Sequence, residues 1–267
     1  MRSFKNKVVV ITGAGSGIGK ALARTFADQG ALLALNDYNQ VTLEETIEEL
    51  KNSTRVFSKV FDVSKEEEMN AFAKDVIQHY GRVDVVVNNA GVAQEGTLVS
   101  NLSTKDFEWL LDINMWGMIH GSRAFLPYLR QQKTASLVNI SSIFGMIGVP
   151  GMSSYSVSKF AVRAFSEALY LEERIHKTGV VVSSVHPGGI NTNIAKSARG
   201  NGQSQVDAME KALVMPPKKA ARIIVKGIQR KKSRILVGLD AYLIYYLDKY
   251  ARGLLNYGIM YNYKKYL

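Results

Sequence analysis

The chain has 267 residues, 46% hydrophobic and 21% charged, which is enough length and apolar content to bury one large α/β core. It holds no cysteine, which excludes disulfides and thiolate metal sites and suits a reducing, cytoplasmic setting. The net charge of +11 is uneven: residues 213–267 carry twelve Lys/Arg against two acids and eight of the 13 tyrosines, whereas the rest is nearly neutral.

Taken in chain order, short apolar runs alternate with helical patterns. Arg2, Lys5 and Lys7 lead into Val8-Val9-Val10-Ile11, too short a run for a signal peptide or a membrane span and expected as a first buried strand. Strands are expected at 7–12, 31–36, 55–61, 83–88, 136–141, 180–185 and 234–238. Helices are expected at 17–29, 43–52, 65–80, 104–131, 153–177 and 218–230. Continuous runs such as Val180-Val181-Val182 read as parallel strands buried on both faces. The alternation predicts a Rossmann-type, doubly wound parallel sheet of seven strands flanked by helices. Residues 1–267 are expected to form one catalytic domain. Within it, a polar lid is expected at about 190–217 and a basic, Tyr-rich extension at 239–267.

The first strand runs into Thr12-Gly13-Ala14-Gly15-Ser16-Gly17-Ile18-Gly19 and then a helix. Glycines there let the backbone turn tightly and approach a pyrophosphate, whose charge the helix N-terminus favours. An ordinary tight βα turn is the plain alternative. Asp37 lies about twenty residues on, at the end of the second strand, where an acid suits the adenosine ribose hydroxyls and repels a 2′-phosphate. It reads alternatively as a solvated strand-end acid. Neither Ser16 nor Tyr38 brings the positive charge a 2′-phosphate would want, so NAD is the expected cofactor.

The second constellation is Tyr155-Ser156-Val157-Ser158-Lys159, whose Tyr and Lys share a helix face one turn apart. A phenol of pKa near 10 is a poor acid or base at neutral pH, and a nearby ammonium favours the phenolate. Alone, such a pair is usually a surface contact. Here Ser142 precedes it by thirteen residues, at the carboxyl end of the strand expected at 136–141, and Asn88-Asn89-Ala90-Gly91 ends another strand.

These motifs resemble the short-chain dehydrogenase/reductase family over roughly residues 5–238. Five appear in family order: the glycine turn, Asp62-Val63, Asn-Asn-Ala-Gly, the Ser/Tyr-x-x-x-Lys set, and Pro187-Gly188. The resemblance implies that Tyr155 is the general acid/base and that Lys159 binds nicotinamide ribose and depresses the tyrosine's pKa. It implies that Ser142 holds the substrate oxygen and that Asn114 holds a water in a proton relay. Gly13, Ser16, Gly17, Ile18 and Gly19 would carry the cofactor's pyrophosphate end. Asp62 and Val63 would read adenine, Asn89, Ala90 and Gly91 would pass along the cofactor, and Ile190 and Thr192, after Pro187-Gly188, would meet the carboxamide. Asn114 as a helix-packing amide and Thr192 as a cap are the bland alternatives. Gly189 stands where the family usually has a bulkier apolar residue, which would add backbone freedom at the root of the lid.

The expected reaction is NAD(H)-linked interconversion of a secondary alcohol and a ketone, in a homodimer or homotetramer built on the helices around Asn114 and Tyr155. Phe144, Met146, Ile147, Val149 and Met152 favour an apolar substrate, although core packing is the default for such methionines. Reduction of a 3-oxoacyl group on an acidic carrier protein is the rival reaction, and Asp37 counts against it. From another class, the chain would be a cofactor-sensing or nucleic-acid-binding protein, against which the intact Ser142/Tyr155/Lys159 set argues. His79, His120, His176 and His186 have no metal-ligand spacing and are expected to pack or face solvent, so no metal is expected. The two apolar, tyrosine-rich runs of the extension fall short of a membrane span but suit a peripheral contact with an anionic membrane. A subunit interface, or a cover over the substrate cleft, remains open for them.

Overall fold

Strand β1 (Val8–Thr12) is buried along its whole length, as a parallel strand covered on both faces must be. Val9 pairs with Leu33 of β2 (Leu32–Asp37) on one side and with Val85 of β4 (Val85–Asn88) on the other. A computed structural model describes residues 3–93, 96–192, 194 and 214–263, and its sheet continues outward from this pair in both directions. Beyond β2 lies β3 (Val56–Val60); beyond β4 lie β5 (Ala135–Ile140), β6 (Val180–Pro187) and β7 (Arg234–Val237). All pairings are parallel, so the order 3-2-1-4-5-6-7 reverses direction between β1 and β4. Ligands of such sheets bind at the carboxyl ends of the strands beside that reversal.

Side chains alternate across the sheet with period two, and β1 shows it directly. Val9 and Ile11 join the core under α1 (Gly17–Ala27) and α7 (Pro217–Gln229), while Val8 and Val10 join the core under α3 (Glu66–Tyr80), α5 (Gly117–Leu129) and α6 (Ser153–Ile175). All seven expected strands form, each within two residues of its expected ends. Helix α2 (Gln40–Leu50) starts three residues early, because Asn39 accepts the Thr42 amide at 3.1 Å and caps it. Pro217 opens α7, where its missing N–H costs nothing.

The helix expected at 104–131 runs unbroken from 104 to 129, but it is not a uniform α-helix. It consists of α4 (Thr104–Leu111), a π turn over Asp112–Trp116, and α5. A π turn inserts one residue into the helical ladder and is frequent where a helix serves a site. Here Gly117 and Gly121, on either side of one helical turn, press against Val63 and Asn88: a Cβ would stand 2.6 Å from Val63 Cγ2 and 2.1 Å from Asn88 Oδ1.

Two elements appear that the sequence pattern did not assign: α8 (Leu239–Tyr250) and α9 (Arg252–Tyr263). They pack over the carboxyl edge of the sheet, where Leu255 of α9 is buried in a third apolar cluster that also holds Met146, Ile147, Met152 and Tyr155. Of the lid expected at 190–217, residues 193 and 195–213 lie outside the described residues. Its root is described: Ile190 bridges Met215 in parallel.

Candidate active site

The glycine turn after β1 is shaped by backbone that residues with side chains rarely adopt. Gly13 and Gly17 have φ of +64° and +52°, and a Cβ on Gly19 would lie 2.0 Å from the Gly13 carbonyl oxygen. The first-turn amides of α1 at Gly17, Ile18 and Gly19 have no call on them from within the helix, and Ser16 at the N-cap makes no side-chain capping bond. Thr192 lies against this turn, its Cγ2 3.2 Å from where a Gly17 Cβ would be.

Asp37 ends β2 facing the same turn. Its Oδ2 accepts the Gly15 amide at 2.8 Å and its Oδ1 the Asn39 amide at 3.0 Å, while no basic side chain pairs with it among the described residues. The carboxylate is thus fixed and uncompensated, with lone pairs left for a ligand hydroxyl. Tyr38 beside it is 72% exposed and brings no positive charge.

Asn89 and Thr12 lock β4 to this turn. Asn89 Nδ2 donates to the carbonyls of Thr12 (2.9 Å) and Gly13 (3.1 Å), and Thr12 Oγ1 accepts the amides of Asn89 (3.0 Å) and Ala90 (3.1 Å). Asn89's side chain is therefore committed to the fold, which leaves backbone at 89–91 for a cofactor. Asp62 is exposed and accepts the Ser64 amide at 2.9 Å, whereas the Val63 side chain is buried against Gly117.

At the centre of the sheet edge Tyr155 and Lys159 are both buried. The Ser142 hydroxyl hydrogen-bonds Tyr155, and the ring of Phe144 meets the Tyr155 ring edge-on at 5.9 Å. Lys159 Nζ lies 5.4 Å from the Tyr155 ring centroid and donates to the Ile140 carbonyl at 3.2 Å. A Cβ on Gly91 would stand 3.3 Å from that Nζ and 3.2 Å from Asn114 Oδ1, so glycine there keeps the approach between them open.

The electrostatics differ from what the resemblance implies. Burial pushes Tyr155 up to about 12, with the Ser142 hydrogen bond pulling the other way, and burial pushes Lys159 down to about 8. Lys159 spends a proton on a carbonyl and lies beside the ring rather than on the phenolic oxygen, so desolvation outweighs its charge.

Asn114 sits inside the π turn and is buried. Its Oδ1 accepts the Val92 amide at 2.8 Å, and its Nδ2 donates to the Val92 carbonyl (2.9 Å) and to Ser158 Oγ (3.2 Å). Ser158 Oγ in turn donates to the Tyr155 carbonyl at 2.7 Å. The side chain ties the segment following Gly91 to the catalytic helix, and a relay water would have to meet its backbone carbonyl instead.

The turn Pro187-Gly188-Gly189-Ile190 is not loosened by Gly189. Asp240 Oδ2 accepts the Gly189 amide at 2.7 Å, and the Gly189 carbonyl accepts the Met215 amide at 3.0 Å. A Cβ on Gly188 would lie 2.0 Å from Asp240 Oδ2, so glycine is needed where the carboxylate packs.

His186 and Asp240 are site residues that motif reasoning passed over. His186 Nδ1 lies 3.0 Å from the Ser142 carbonyl oxygen, which can only accept, so Nδ1 carries the proton and the bare Nε2 accepts Ser184 Oγ–H at 2.8 Å. The residue type directly before Pro187-Gly188, at the end of a buried strand, is the signal that would have found it. Asp240 had none, since its partner is 51 positions away. Among the described residues no group of His, Asp and Glu is placed to hold a metal.

A family model described as short chain dehydrogenase matches residues 7–202. A Mycobacterium tuberculosis protein named as the oxidoreductase SadH is 42% identical over 247 residues, covering 90% of this chain and 89% of its own length. A short chain dehydrogenase/reductase from Burkholderia phymatum, solved in complex with NAD, superposes with a TM-score of 0.82 at 31% identity, covering 88% of this chain and 90% of that one. An alcohol dehydrogenase from the archaeon Thermococcus sibiricus, complexed with 5-hydroxy-NADP, gives a TM-score of 0.76 at 29% identity over 87% of this chain and 96% of that one. Matches of that length and identity settle the kinship, and the chain belongs to the short-chain dehydrogenase/reductase family of oxidoreductases.

Proposed function

We propose that the protein interconverts an apolar secondary alcohol and its ketone, with NAD(H) as the hydride partner and Tyr155 as the acid/base. One observation carries the reading: a buried Tyr155 hydrogen-bonded to Ser142, with a buried Lys159 beside its ring, at the carboxyl edge of a parallel sheet. When bound, the nicotinamide supplies the acceptor or donor of hydride. The residues present fit such a cofactor. The positive-φ glycines leave room for a pyrophosphate against the first turn of α1, the uncompensated Asp37 carboxylate offers acceptors to ribose hydroxyls, and Gly91 leaves space beside Lys159. Gly13, Ser16, Gly17, Ile18 and Gly19 would hold the pyrophosphate end, Asp62 and the backbone at Val63 the adenine, and Ile190 and Thr192 the carboxamide.

In the direction of reduction, Tyr155 gives its phenolic proton to the substrate oxygen as negative charge grows there, and the Ser142 hydroxyl steadies that oxygen. In the direction of oxidation the same atoms take the proton back. Lys159 and the Asn114 backbone carbonyl would connect the phenol to solvent. NAD rather than NADP is supported by Asp37 alone, because a carboxylate facing a 2′-phosphate is repulsive.

The apolar substrate is supported by the cluster around Tyr155. Met146, Ile147 and Met152 come from the segment between Ser142 and Tyr155, and Leu255 and Ile259 from α9. A screen of alcohols and ketones graded by chain length and ring number, run with NAD(H) and NADP(H), tests this. Best turnover on long or cyclic apolar substrates agrees with it; best turnover on a short diol or a hydroxy acid overturns it. A homodimer or homotetramer belongs to the same proposal, supported by Trp116, Val157 and Phe160, which are exposed on the π turn and α6. A cytoplasmic setting belongs to it as well.

A further inference from the structure

His120, which the sequence pattern leaves to packing or to solvent, makes a contact that the catalytic group does not use. It lies buried in α5, and its Nδ1 is 3.3 Å from the Val63 carbonyl oxygen. A carbonyl oxygen can only accept, so Nδ1 carries the proton and His120 donates. The ring of Trp116, the last residue of the π turn and one helical turn earlier, stacks on the imidazole at 5.9 Å and 26° and holds it in place.

The peptide that His120 grips is held from both ends. The Val63 carbonyl takes the His120 proton, and the N–H of the same Val63–Ser64 peptide donates to Asp62 Oδ1 at 2.9 Å. Turning that peptide over would break both bonds and free the Asp62 side chain. The surrounding backbone is fixed as well. Asn36 Nδ2 donates to the Phe61 carbonyl at 3.0 Å, and the Lys65 amide donates to the Asp62 carbonyl at 3.0 Å. Gly117 leaves Val63 no slack, since a Cβ there would stand 2.6 Å from its Cγ2.

Two groups of this segment stay unspent among the described residues, the Val63 amide N–H and Asp62 Oδ2. A donor beside an anionic acceptor complements the Watson–Crick edge of adenine, whose amine donates and whose neighbouring ring nitrogen accepts. Asp62 is exposed, and an exposed side chain loses rotamer freedom when it binds; a carboxylate ordered beforehand loses less.

We propose that His120 is the positioning residue of the adenine site: through the Val63–Ser64 peptide it orders the Asp62 carboxylate and the Val63 amide before the cofactor arrives. The inference rests on the nicotinamide cofactor proposed above, with Asp62 and Val63 at its adenine end, and adds the residue that sets their pose.

Titration of the full chain with NADH and with reduced nicotinamide hypoxanthine dinucleotide, followed by nicotinamide fluorescence, tests this without turnover. Hypoxanthine puts an oxo group and a ring N–H where adenine has an amine and a bare nitrogen. Both hydrogen bonds are thereby inverted, while the rest of the dinucleotide is the same. The unmodified chain is expected to prefer NADH by about tenfold or more. His120→Phe keeps a ring against Trp116 and removes the donor, and its preference is expected to shrink to about threefold or less. His120→Asn returns a donor to that place and is expected to recover part of the preference. A His120→Phe variant that binds both dinucleotides less well but keeps the wild-type ratio overturns the proposal, since packing alone would do that. So does an equal loss of preference in His120→Asn and His120→Phe. An unmodified chain that binds the two dinucleotides alike also overturns it, and leaves the cofactor reading standing; one that binds neither removes both. Should the variants not fold, nitrogen NMR of the unmodified chain decides: a proton on His120 Nδ1 supports the proposal, and a bare Nδ1 overturns it.

Discussion

Asp240 Oδ2 lies 2.7 Å from the Gly189 amide nitrogen, so the first turn of a C-terminal helix fastens the turn that leads from β6 to Ile190 and Thr192. The same carboxylate accepts the Ala241 amide at 2.9 Å and packs where a Gly188 Cβ would be. Asp240→Ala would release the turn without touching Tyr155. A hydrogen bond to a charged acceptor at an exposed site is worth the low end of about 1.5–3 kcal/mol. KM for the nicotinamide cofactor is therefore expected to rise by about tenfold, while kcat changes far less. Asp240→Asn, which keeps an acceptor oxygen, is expected to recover part of that loss. An unchanged cofactor KM in Asp240→Ala would show that the turn holds itself.

Tyr155→Phe keeps the ring that packs against Phe144 and removes the proton. Turnover is expected to fall by at least about a hundredfold, with cofactor affinity nearly unchanged. Lys159→Ala is expected to damage both, because its ammonium lies between the phenol and the gap at Gly91. Steady-state kinetics and cofactor titration separate the two outcomes. A Tyr155→Phe variant that kept more than about a tenth of the rate would mean another acid/base operates.

With Tyr155 pushed up to about 12, the phenol is protonated at neutral pH and set up to give its proton rather than to take one. Ketone reduction is expected to hold its rate through neutral pH, and alcohol oxidation to gain in kcat/KM as the solution becomes alkaline. Profiles of kcat/KM for both directions check this. An oxidation profile that peaked on the acid side of neutrality would contradict it.

Cofactor choice follows from Asp37. NAD is expected to exceed NADP by at least about tenfold in kcat/KM, since a buried carboxylate would face the 2′-phosphate. Asp37→Ala is expected to narrow the gap. Its effect on NAD itself should be a loss, because the Gly15 and Asn39 amides lose their acceptor. Equal use of both cofactors by the unmodified chain would remove the argument.

What could be read from the sequence was what local pattern encodes. The strands were legible because parallel strands buried on both faces write continuous runs, as at Val8-Val9-Val10-Ile11, and the glycine turn because positive φ demands its residue. The Ser142, Tyr155 and Lys159 group was legible through spacing along one strand and one helix. The π turn at Asp112–Trp116 was not, since a one-residue insertion leaves the apolar period almost unchanged. Helices α8 and α9 were missed because residues apolar on both faces blur the period that marks a helix. Asp240 and His186 act through contacts distant in sequence, 51 and 44 positions away, which no periodicity records.

His186 supplies a test in which stability, not turnover, is read first. Its ring is buried between the Ser142 carbonyl and Ser184 Oγ, and burial pushes it down to about 4; the hydrogen bond to Ser142 opposes this, Arg234 and Arg163 add to it, and Glu167 subtracts. A histidine with a lowered folded-state pKa stays neutral in the native protein while the unfolded chain takes up a proton. The unfolded state therefore binds more protons between its ordinary pKa near 6.5 and the folded value of about 4. Stability from this group is fully present above pH 6.5 and is lost as pH falls from there to about 4. That displacement corresponds to about 3 kcal/mol. His186→Leu removes the titration together with the ring's donor, so its melting temperature is expected to fall less steeply than the wild type's across that window. At neutral pH the variant is expected to be less stable by about 1–3 kcal/mol, because the Ser142 carbonyl loses its donor. Lower kcat should accompany this, with cofactor KM unchanged, since the ring supports Ser142 and not the cofactor turn. Melting curves for both proteins at a series of pH values decide it, and parallel curves from neutral pH to about pH 4 would mean that His186 does not set this slope.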